Sequence, residues 1–393
     1  MRLSDVAVPI GFAWSSPFCR WQGPLAGMSS VDLLVDVTNR ALGARGFDIA
    51  EVTQVALGTT VPQPASFYGV TTVTPRLGLD GVTGPTVAQA CATSVAVLQA
   101  AAVQVELGAH RTVLALTTDR TSNGPLMVWS AQDTPGAAPV TEHWVLDPMR
   151  HDPNTGESML DTAEHVAAEE GYPRAEIDAV TLLRYEQYRA ATARRRGHLV
   201  EVHVPGRRGD TVVADDQGVH DTTAEGLAKL SPLRPDGVVT YGSQTHPADG
   251  AAGLVVTTVE RARELGGGTG VARLLSVGFA RAERARMPTA PVPAARAALA
   301  AADLDIGSVD VVTTHNPFAV NDLYFSRQTG FPLDRMNPYG CSLVYGHPQG
   351  PTGMRAVAEL VAALHARGGG RGLFTGCAAG DTAGAVVVEV TDR

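Results

Sequence analysis

Four residues combine a reactive side chain with a position where a helix or strand is expected to begin or end. Cys91 stands among small residues at the start of the Ala-rich run "QACATSVAVLQAAAVQVELG". If a helix begins just after Cys91, its sulfur lies beside unpaired backbone N–H groups and the positive end of the helix dipole, which favour a thiolate. The small neighbouring side chains leave room for an incoming group, although a small residue buried in a tight helix–strand contact would show the same pattern.

The other three lie towards the C-terminal end of the chain. His347 is in "YGHPQGPTG", where a constrained loop would hold the imidazole rigidly, as a general base requires. Cys377 ends a strand in "FTGCAAGD" and enters a turn whose backbone N–H groups can point at a ligand oxygen. His315 ends a strand in "THNPFAVND". Each also fits a purely structural role. His347 could cap the following helix, Cys377 could be a buried residue at a β-bulge, and His315 could belong to a turn formed by Asn-Pro.

The elements around these residues repeat along the chain. "FDIAEVTQVALG" (47–58) and "LDIGSVDVVTTH" (304–315) align without a gap, and each predicts a helix end, a short turn and a buried strand. Further on, each copy has an amphipathic helix, at about 94–107 and 352–366, then glycine and another strand. The sequence therefore predicts two copies of one α/β unit, with reactive residues at equivalent strand-to-helix corners.

Between the copies the composition changes. The intervening segment has many Pro, Gly, Asp and Arg residues, and the helix patterns "ESMLDTAEHVAAEEG" and "AEIDAVTLLRYEQYRAATARRRG". We interpret it as an insertion that covers a site on the duplicated core. The predicted parts are a first half at 1–119 with 249–268, a lid or loop domain at 120–248, and a second half at 269–393.

Composition argues against several classes of protein. The formal net charge of −9 argues against broad nucleic-acid binding. No apolar run approaches the roughly 20 residues of a membrane span, so no membrane association is expected. Four cysteines in 393 residues do not make a disulfide framework, and the N-terminus lacks a signal-peptide pattern. Free thiols in a reducing cytoplasm are therefore expected.

Taken together, the motifs resemble those of the thiolase family from end to end. The run after Cys91 resembles the thiolase nucleophile helix, and "GESMLDTAEHVA" resembles the lid helix. "YGHPQGPTG" and "GCAAG" resemble the family's G-H-P-x-G-x-[ST]-G and C-x-G-G motifs, and "TTDRTSNGP" and "LRPDGVVTYGSQTHPADGAAGLVV" resemble further thiolase segments. The resemblance implies an α/β fold of five layers, α-β-α-β-α, made of two repeated halves with an inserted lid.

The resemblance also implies an activity and a role for each reactive residue. Thiolases condense acyl-CoA thioesters in a reversible Claisen reaction, or cleave 3-oxoacyl-CoA with coenzyme A, through an acyl-cysteine and with no permanently bound cofactor or metal. Cys91 would take the acyl group, His347 would activate it, and Cys377 would exchange a proton with the α-carbon or the leaving thiol. Backbone N–H groups of Cys91 and of the Ala379 region would stabilise the acyl oxygen, and His315 with His347 the enolate.

Binding of the CoA thioester is implied for a further set of residues: Ser158, Met159, His220, Ser243, Thr245, Ala379 and Gly380. The chain departs from the family in that His315 and Asn316 stand where Asn and Glu are usual, and Ser243 replaces an Asn near the pantetheine arm. Val219 replaces an arginine of the adenine-contacting loop, so an acyl carrier protein stays open as acyl donor. The lid side chains expected to shape the acyl pocket include Met127, Trp129, Trp144 and Met149.

Alternatives to a thiolase remain open from the sequence. A decarboxylative ketosynthase-like enzyme would use a Cys-His-His centre of Cys91, His315 and His347, and a catalytically silent thiolase-fold protein would act as a partner. Two Cys and two His could also ligate Zn²⁺, but no pair among them has finger-type spacing. Since thiolases associate through their core sheet, a homodimer or homotetramer is expected.

Overall fold

The computed structural model describes residues 1–131 and 135–391. Its strands are β1 (Ala7–Pro9), β2 (Ala13–Ser15), β3 (Cys19–Arg20), β4 (Gln54–Gly58), β5 (Thr86–Val87), β6 (Thr112–Arg120), β7 (Leu126–Trp129), β8 (Val140–His143), β9 (Val202–Val204), β10 (Thr211–Val213), β11 (Ala248–Thr257), β12 (Val271–Arg281), β13 (Val311–His315), β14 (Gly370–Ala378) and β15 (Thr382–Thr391). Its helices are α1 (Ser30–Gly43), α2 (Val70–Val73), α3 (Thr93–Glu106), α4 (Asp147–Arg150), α5 (Met159–Glu169), α6 (Arg174–Ala190), α7 (Thr192–Arg195), α8 (Ala224–Ala228), α9 (Val259–Leu265), α10 (Pro291–Ala301), α11 (Ala319–Thr329), α12 (Ser342–Tyr345) and α13 (Gly350–Ala366). Within the described ranges, no helix has both the length and the apolar character required to cross a bilayer.

The N-terminal and C-terminal parts each form one part of a continuous sheet, called here the first and second sheets, and the two have the same strand order and directions. β1 and β12 pair antiparallel and join them. In the first, the order is β4-β6-β11-β1, with β4 parallel to β6 and the other neighbours antiparallel. In the second, the order is β13-β14-β15-β12, with β13 parallel to β14 and the rest antiparallel. Because order and direction agree strand for strand, the predicted repeat is confirmed.

The aligned sequence segments occupy equivalent places in the two halves. A 3₁₀ turn at Ile49–Glu51 leads into β4, and a 3₁₀ turn at Ile306–Ser308 leads into β13. Asp48 and Asp305 cap these turns by accepting hydrogen bonds from backbone N–H groups. The "Asp-Ile" signal therefore marks a capped turn, where the sequence had indicated the end of a helix.

The helices arrange the two sheets in five layers. α1 covers the outer face of the first sheet and α10 that of the second. α3 and α13 pack against each other and contact strands of both sheets, so they form the central layer. An apolar cluster joins the two helices to both sheets, from Val97 of α3 and Val357 of α13 to Val113 of β6 and Val386 of β15. The expected α-β-α-β-α fold is confirmed, and its central layer is the largest part of the core.

This central layer brings the two reactive corners together. Cys91 comes just before α3 and His347 just before α13, and the two helices are in direct contact. The Ala-rich face of α3 has small side chains, which allow close helix packing. Two residues separated by 256 positions in sequence are thus placed at one end of the same helix pair.

The inserted region contains α4 to α8 and is attached to the core by a buried ion pair. Asp216, from the insertion, receives two hydrogen bonds from the guanidinium of Arg355 on α13, at 2.6 and 2.9 Å. Tyr188 of α6 donates a third hydrogen bond to Asp216 at 2.9 Å. Both predicted helices of this region are present, as α5 and as α6 with its short continuation α7. The boundaries given above for the three parts stay a prediction.

Candidate active site

Cys91 lies in a tight turn immediately before α3. The preceding residue, Ala90, has a φ of 43°, a backbone conformation that residues other than glycine rarely adopt. The side chain of Thr93 holds this turn, since it donates to the Ala90 carbonyl at 2.7 Å and accepts from the backbone N–H of Gln89 at 2.8 Å. The turn therefore fixes the sulfur of Cys91 at the N-terminal end of the helix.

His347 is held on both sides of its ring and along its backbone. Its Nε2 lies 3.1 Å from the sulfur of Cys91, and its Nδ1 lies 2.6 Å from the hydroxyl of Thr352 in the first turn of α13. Its backbone N–H donates to the carbonyl of His246 at 2.8 Å. The imidazole is thus within hydrogen-bond reach of the thiol proton, as a general base must be.

His315 ends β13 and stacks on His347. The ring centroids are 4.0 Å apart, with an angle of 20° between the planes. Nδ1 of His315 lies 2.9 Å from the hydroxyl of Ser342, whereas its buried Nε2 has no hydrogen-bond partner in the part of the chain that the structure describes. An unpartnered buried ring nitrogen is available to a ligand.

Cys377 lies near the end of β14 and is 1% exposed. The side-chain amide of Asn321, on α11, donates to its sulfur at 3.3 Å. An amide donor stabilises a thiolate more than a thiol, so this contact favours Cys377 when it has given up its proton.

One cavity of about 250 Å³ joins these four side chains. Cys91, His315, His347 and Cys377 all line it. The rest of its wall is mainly apolar and comes from the inserted region and the second half: Val145, Leu146, Met149, Met159, Leu160, Met287 and Phe318. Two thiols and two imidazoles therefore face a shared space beneath the lid.

The loss of surrounding water shifts the pKa of each of the four reactive groups towards its neutral form. Burial raises the pKa of the Cys91 thiol to about 12, although the backbone N–H groups of Ala379 and of Cys91 itself lower it. Burial lowers the pKa of His315 to about 3. The pKa of His347 is held well below its ordinary value by burial and by the neighbouring ring of His315. Burial and the nearby Cys91 hold the pKa of Cys377 well above its ordinary value.

These shifts correct the expectation that the helix end makes Cys91 a thiolate. Loss of water around the sulfur outweighs the favourable N–H groups. A neutral thiol beside a neutral imidazole transfers its proton only when the sulfur attacks. The pair is therefore arranged for general-base catalysis by His347.

Comparisons with known proteins agree with this arrangement. The family model described as "Thiolase, N-terminal domain" matches residues 9–260, and "Thiolase, C-terminal domain" matches residues 268–390. The chain belongs to the thiolase family. It is a thiolase-type acyltransferase, and the substrates of this family are coenzyme A thioesters.

Individual thiolases are similar over nearly their whole length. An acetyl-CoA acetyltransferase of Synechocystis is 29% identical over 92% of this chain and 94% of its own. A beta-ketoadipyl-CoA thiolase of Pseudomonas knackmussii is 31% identical over 95% of this chain and 96% of its own. The crystal structure of the acetyl-CoA acetyltransferase of Bacillus anthracis superposes with a TM-score of 0.91, at 27% identity and 99% coverage of both chains.

The residues expected to bind the CoA thioester fall into two groups. Met159, Thr245 and Ala379 line the cavity. The other four lie outside the lining among the described residues: Ser158, His220, Ser243 and Gly380. Ser158 caps α5 in a reciprocal pair with Asp161, Ser243 accepts a hydrogen bond from the backbone N–H of Thr240, and His220 is exposed.

Of the lid side chains expected to shape the acyl pocket, Met149 lines the cavity. Met127 and Trp129 lie on the β7–β8 hairpin, where Trp129 is 48% exposed. Trp144 instead donates its indole N–H to the carbonyl of Thr60 at 2.8 Å. The expectation was wrong for these three, since none of them is among the described lining residues and Trp144 joins the insertion to the first half.

Asp119 is a further residue of the site that the sequence analysis did not single out. Its buried carboxylate accepts hydrogen bonds from the hydroxyl of Thr59 and from the backbone N–H groups of Thr60, Val61 and Gly350. Burial raises its pKa to about 6, although these donors lower it. Asp119 thereby ties the ends of β4 and β6 to the start of α13, just after the loop of the general base. A charged residue ending the apolar run of β6 was the available signal.

Asn321 and Ser342 were also missed, and no local signal marks them. Asn321 reaches Cys377 across 56 positions and Ser342 reaches His315 across 27. These contacts depend on how α11 and α12 pack beside the ends of β13 and β14. Such pairings depend on tertiary register, which a single sequence does not contain.

Cys91, His315 and His347 are also close enough to suggest a metal site, since their ligand atoms lie within 4.8 Å of one another. The rings of the two histidines are stacked at 20°, so the nitrogen lone pairs lie in nearly parallel planes. Tetrahedral coordination requires lone pairs that converge on one point. The stacked geometry fits a reaction centre better than a zinc site.

Proposed function

We propose that Cys91 is the acyl-accepting nucleophile of this thiolase, His347 its base, Cys377 the proton donor to the α-carbon, and His315 a hydrogen-bond donor to the enolate oxygen. The observation that carries the proposal is the 3.1 Å contact between Cys91 and His347, in a cavity that Cys377 and His315 also line. The second cysteine distinguishes this centre from a decarboxylative Cys-His-His site.

In cleavage of a 3-oxoacyl-CoA, His347 takes the proton of Cys91 as the sulfur attacks the 3-oxo carbon. The C2–C3 bond then breaks, its electrons form the enolate of acetyl-CoA, and Cys377 gives its proton to C2. Acetyl-CoA leaves, and the shortened acyl group remains on Cys91 as a thioester. Neutral thiols at rest suit these steps because Cys377 must begin as an acid.

The second half-reaction restores every proton. The Cys377 thiolate, stabilised by the Asn321 amide, takes the proton of an incoming coenzyme A thiol. The new thiolate attacks the acyl-cysteine, Cys91 leaves, and the His347 imidazolium returns its proton. Backbone N–H groups of Cys91 and Ala379 already point at the sulfur of Cys91 and would donate to the oxygen of the bound acyl group.

We propose further that the acyl group is uncharged. Among the described residues of the lining there is no Arg, Lys, Asp or Glu. Arg286, next to the lining residue Met287, is paired with Glu169 on α5. A terminal carboxylate would therefore be buried without a partner, at a cost of several kcal/mol. This favours an aliphatic 3-oxoacyl-CoA over a dicarboxylic one.

Two substrates of equal chain length test activity and acyl class together. With coenzyme A, 3-oxohexanoyl-CoA should yield acetyl-CoA and butanoyl-CoA, and 3-oxoadipyl-CoA should yield acetyl-CoA and succinyl-CoA at a kcat/KM roughly 100-fold lower. Liquid chromatography with mass spectrometry measures all four products. No turnover of either substrate would contradict the roles proposed for the site, and equal turnover would contradict only the uncharged acyl group.

We also propose that the chain forms a homodimer or homotetramer. Large apolar side chains are exposed in pairs at places that include Phe67 with Tyr68 after β4, and Leu126 with Trp129 on the β7–β8 hairpin. Exposed apolar patches of this kind are typical of protein interfaces. Light scattering after size-exclusion chromatography gives the mass, and a monomer at micromolar concentration would contradict the proposal.

We also propose a cytoplasmic location. All four cysteines are free, as expected in a reducing compartment.

For the acyl donor, we propose coenzyme A in preference to an acyl carrier protein. Direct comparison of acetyl-CoA with an acetylated acyl carrier protein as donors to Cys91 would decide between the two.

A further inference from the structure

A second cavity, of about 380 Å³, lies along the C-terminal half of α13, away from the active site. Its walls are formed by the β1–β2 turn, by the segment that ends α7, and by α13. Ala13, Ala358 and Ala362 are among the lining residues, and such small side chains leave the space open. The cavity is larger than the 250 Å³ cavity of the active site.

His198 is a buried polar group that faces this cavity without a partner. It is 2% exposed, and neither ring nitrogen has a hydrogen bond within the described protein. The nearest carboxylate oxygen, on Glu359, is 3.6 Å from Nε2. Glu359 already accepts hydrogen bonds from Arg355 at 2.9 Å and from Tyr345 at 3.0 Å. An unpaired imidazole in such a place is costly unless something else binds it.

Among the described lining residues, the one with a permanently charged side chain is Arg194. It lies in an exposed position, with its guanidinium 5.3 Å from the ring centroid of Tyr339. No Asp or Glu occurs among the described lining residues. An imidazole ring carries at least one N–H, so His198 can donate a hydrogen bond to an anion in the cavity. The remaining wall, including Val361 and Ala362, is apolar.

We propose that this cavity is a second ligand site, for a monocarboxylate with a short apolar body. The carboxylate binds between His198 and Arg194, and the apolar body packs on Val361 and Ala362. The Arg194 guanidinium supplies charge-assisted hydrogen bonds to the carboxylate, and a ring N–H of His198 supplies a further donor. The site is separate from the acyl-transfer cavity and does not depend on the roles proposed there.

A fluorinated probe tests the proposal on the full chain. The ¹⁹F NMR signal of 6,6,6-trifluorohexanoate is followed during titration with the protein, and 6,6,6-trifluorohexan-1-ol serves as the uncharged control. We expect saturable binding of the carboxylate and a Kd for the alcohol at least roughly tenfold higher, because a charge-assisted hydrogen bond is lost. No saturable binding at millimolar probe, or equal binding of the alcohol, would overturn the proposal.

Three variants locate the binding. Arg194→Gln should raise the Kd of the carboxylate about tenfold, whereas Arg196→Gln, which changes an exposed arginine two residues away, should not. Ala362→Phe should fill the cavity and abolish binding, while thiolase turnover shows that the variant is folded. Binding that survives Ala362→Phe, or that responds equally to both arginine variants, would place the ligand elsewhere and overturn the proposal.

Discussion

At the scale of single residues, the two cysteines of the cavity have different surroundings, and these favour different roles. Cys91 faces the imidazole of His347 at 3.1 Å, which can accept its proton. Cys377 faces the amide of Asn321 at 3.3 Å, which cannot accept a proton from it but can stabilise its thiolate. The first environment favours nucleophilic attack, and the second favours giving a proton and later regaining it.

Removing the second thiol should separate these roles. Cys377→Ala should still be acylated on Cys91 by butanoyl-CoA, but turnover of 3-oxohexanoyl-CoA should fall at least about 100-fold because the α-carbon loses its proton donor. Cys341→Ala, at a buried cysteine outside the described cavity lining, is the matched control and should keep most of its activity. Full turnover by Cys377→Ala would show that Cys377 transfers no proton in the reaction and only fills space in the core.

His315 stands where thiolases usually have asparagine, and its neighbours indicate what it can supply. Its Nδ1 lies 2.9 Å from the Ser342 hydroxyl, and its Nε2 has no hydrogen-bond partner among the described residues. When the hydroxyl donates to Nδ1, the single proton of the neutral ring stands on Nε2. The ring then acts as a hydrogen-bond donor, as an asparagine amide does.

His315→Asn should therefore keep kcat within about tenfold of the wild type, while His315→Leu should lose roughly 100-fold, as when one oxyanion donor is removed. Steady-state thiolysis gives both rates, and acylation of Cys91 reports whether each variant is intact. Equal and nearly complete loss in both variants would indicate that His315 transfers a proton.

Residues that could be predicted from the sequence were those marked by local patterns. Cys91, His347 and Cys377 lie at strand or helix ends that the apolar periodicity already reveals, and the family motifs strengthened that reading. Asn321 and Ser342 lie in unremarkable helical segments, and only packing brings them to the site. The neutral state of Cys91 was also unreadable, because it depends on how completely neighbouring segments exclude water.

At the scale of elements, the carboxylate of Asp119 connects the two halves of the chain near the active site, and this connection is called the joint below. Its carboxylate collects donors from the segment after β4 and from the first residue of α13, so it sets the distance between the Cys91 and His347 corners. The gapless repeat made the strands and helices predictable, since the same pattern occurs twice. The sequence marks Asp119 only as a charged residue near the end of an apolar run, and its role was not predictable because packing brings its donors together from separate segments.

The raised pKa of Asp119 gives this joint a pH signature. The native carboxyl has a pKa of about 6 against an ordinary 3.8, so between these values the folded state binds more protons than the unfolded state. This group therefore lowers the free energy of unfolding as pH rises from about 4 to 6, by roughly 3 kcal/mol, and adds no further change above that range. Asp119→Asn should remove this dependence.

Urea unfolding of wild type and Asp119→Asn at several pH values from 4 to 7 measures the difference between their free energies of unfolding. The contributions of other titrating groups cancel in this difference. The variant should also lose turnover at pH 7, since one amide oxygen cannot accept all the hydrogen bonds of the carboxylate. Parallel pH profiles for the two proteins would show that Asp119 does not titrate in this range.

At the scale of the whole molecule, the buried pair of Asp216 and Arg355 attaches the inserted region to the central layer. Both side chains are fully buried, and the Arg355 guanidinium also lies 3.6 Å from the ring centroid of Tyr345. The insertion was predictable from its change in composition. Its attachment was not, because Arg355 reads in sequence as one more polar residue of an amphipathic helix.

Asp216→Asn should destabilise the protein by about 3 kcal/mol, because the buried Arg355 guanidinium keeps Glu359 as a partner but loses its two charge-assisted hydrogen bonds to Asp216. Asp215→Asn, at the exposed neighbour, should change the free energy of unfolding by less than about 0.5 kcal/mol. Urea unfolding followed by circular dichroism measures both. Equal stability of the two variants would mean that the insertion is held by other contacts.

The central claim is that one helix-end thiol carries the acyl group, and peptide mass spectrometry after incubation with butanoyl-CoA tests it most directly. The account predicts a single butanoyl increment on the peptide containing Cys91, slower formation in His347→Ala, and none in Cys91→Ala. A wild-type protein that turns over 3-oxohexanoyl-CoA while its increment is absent, or lies on another residue, would contradict the account.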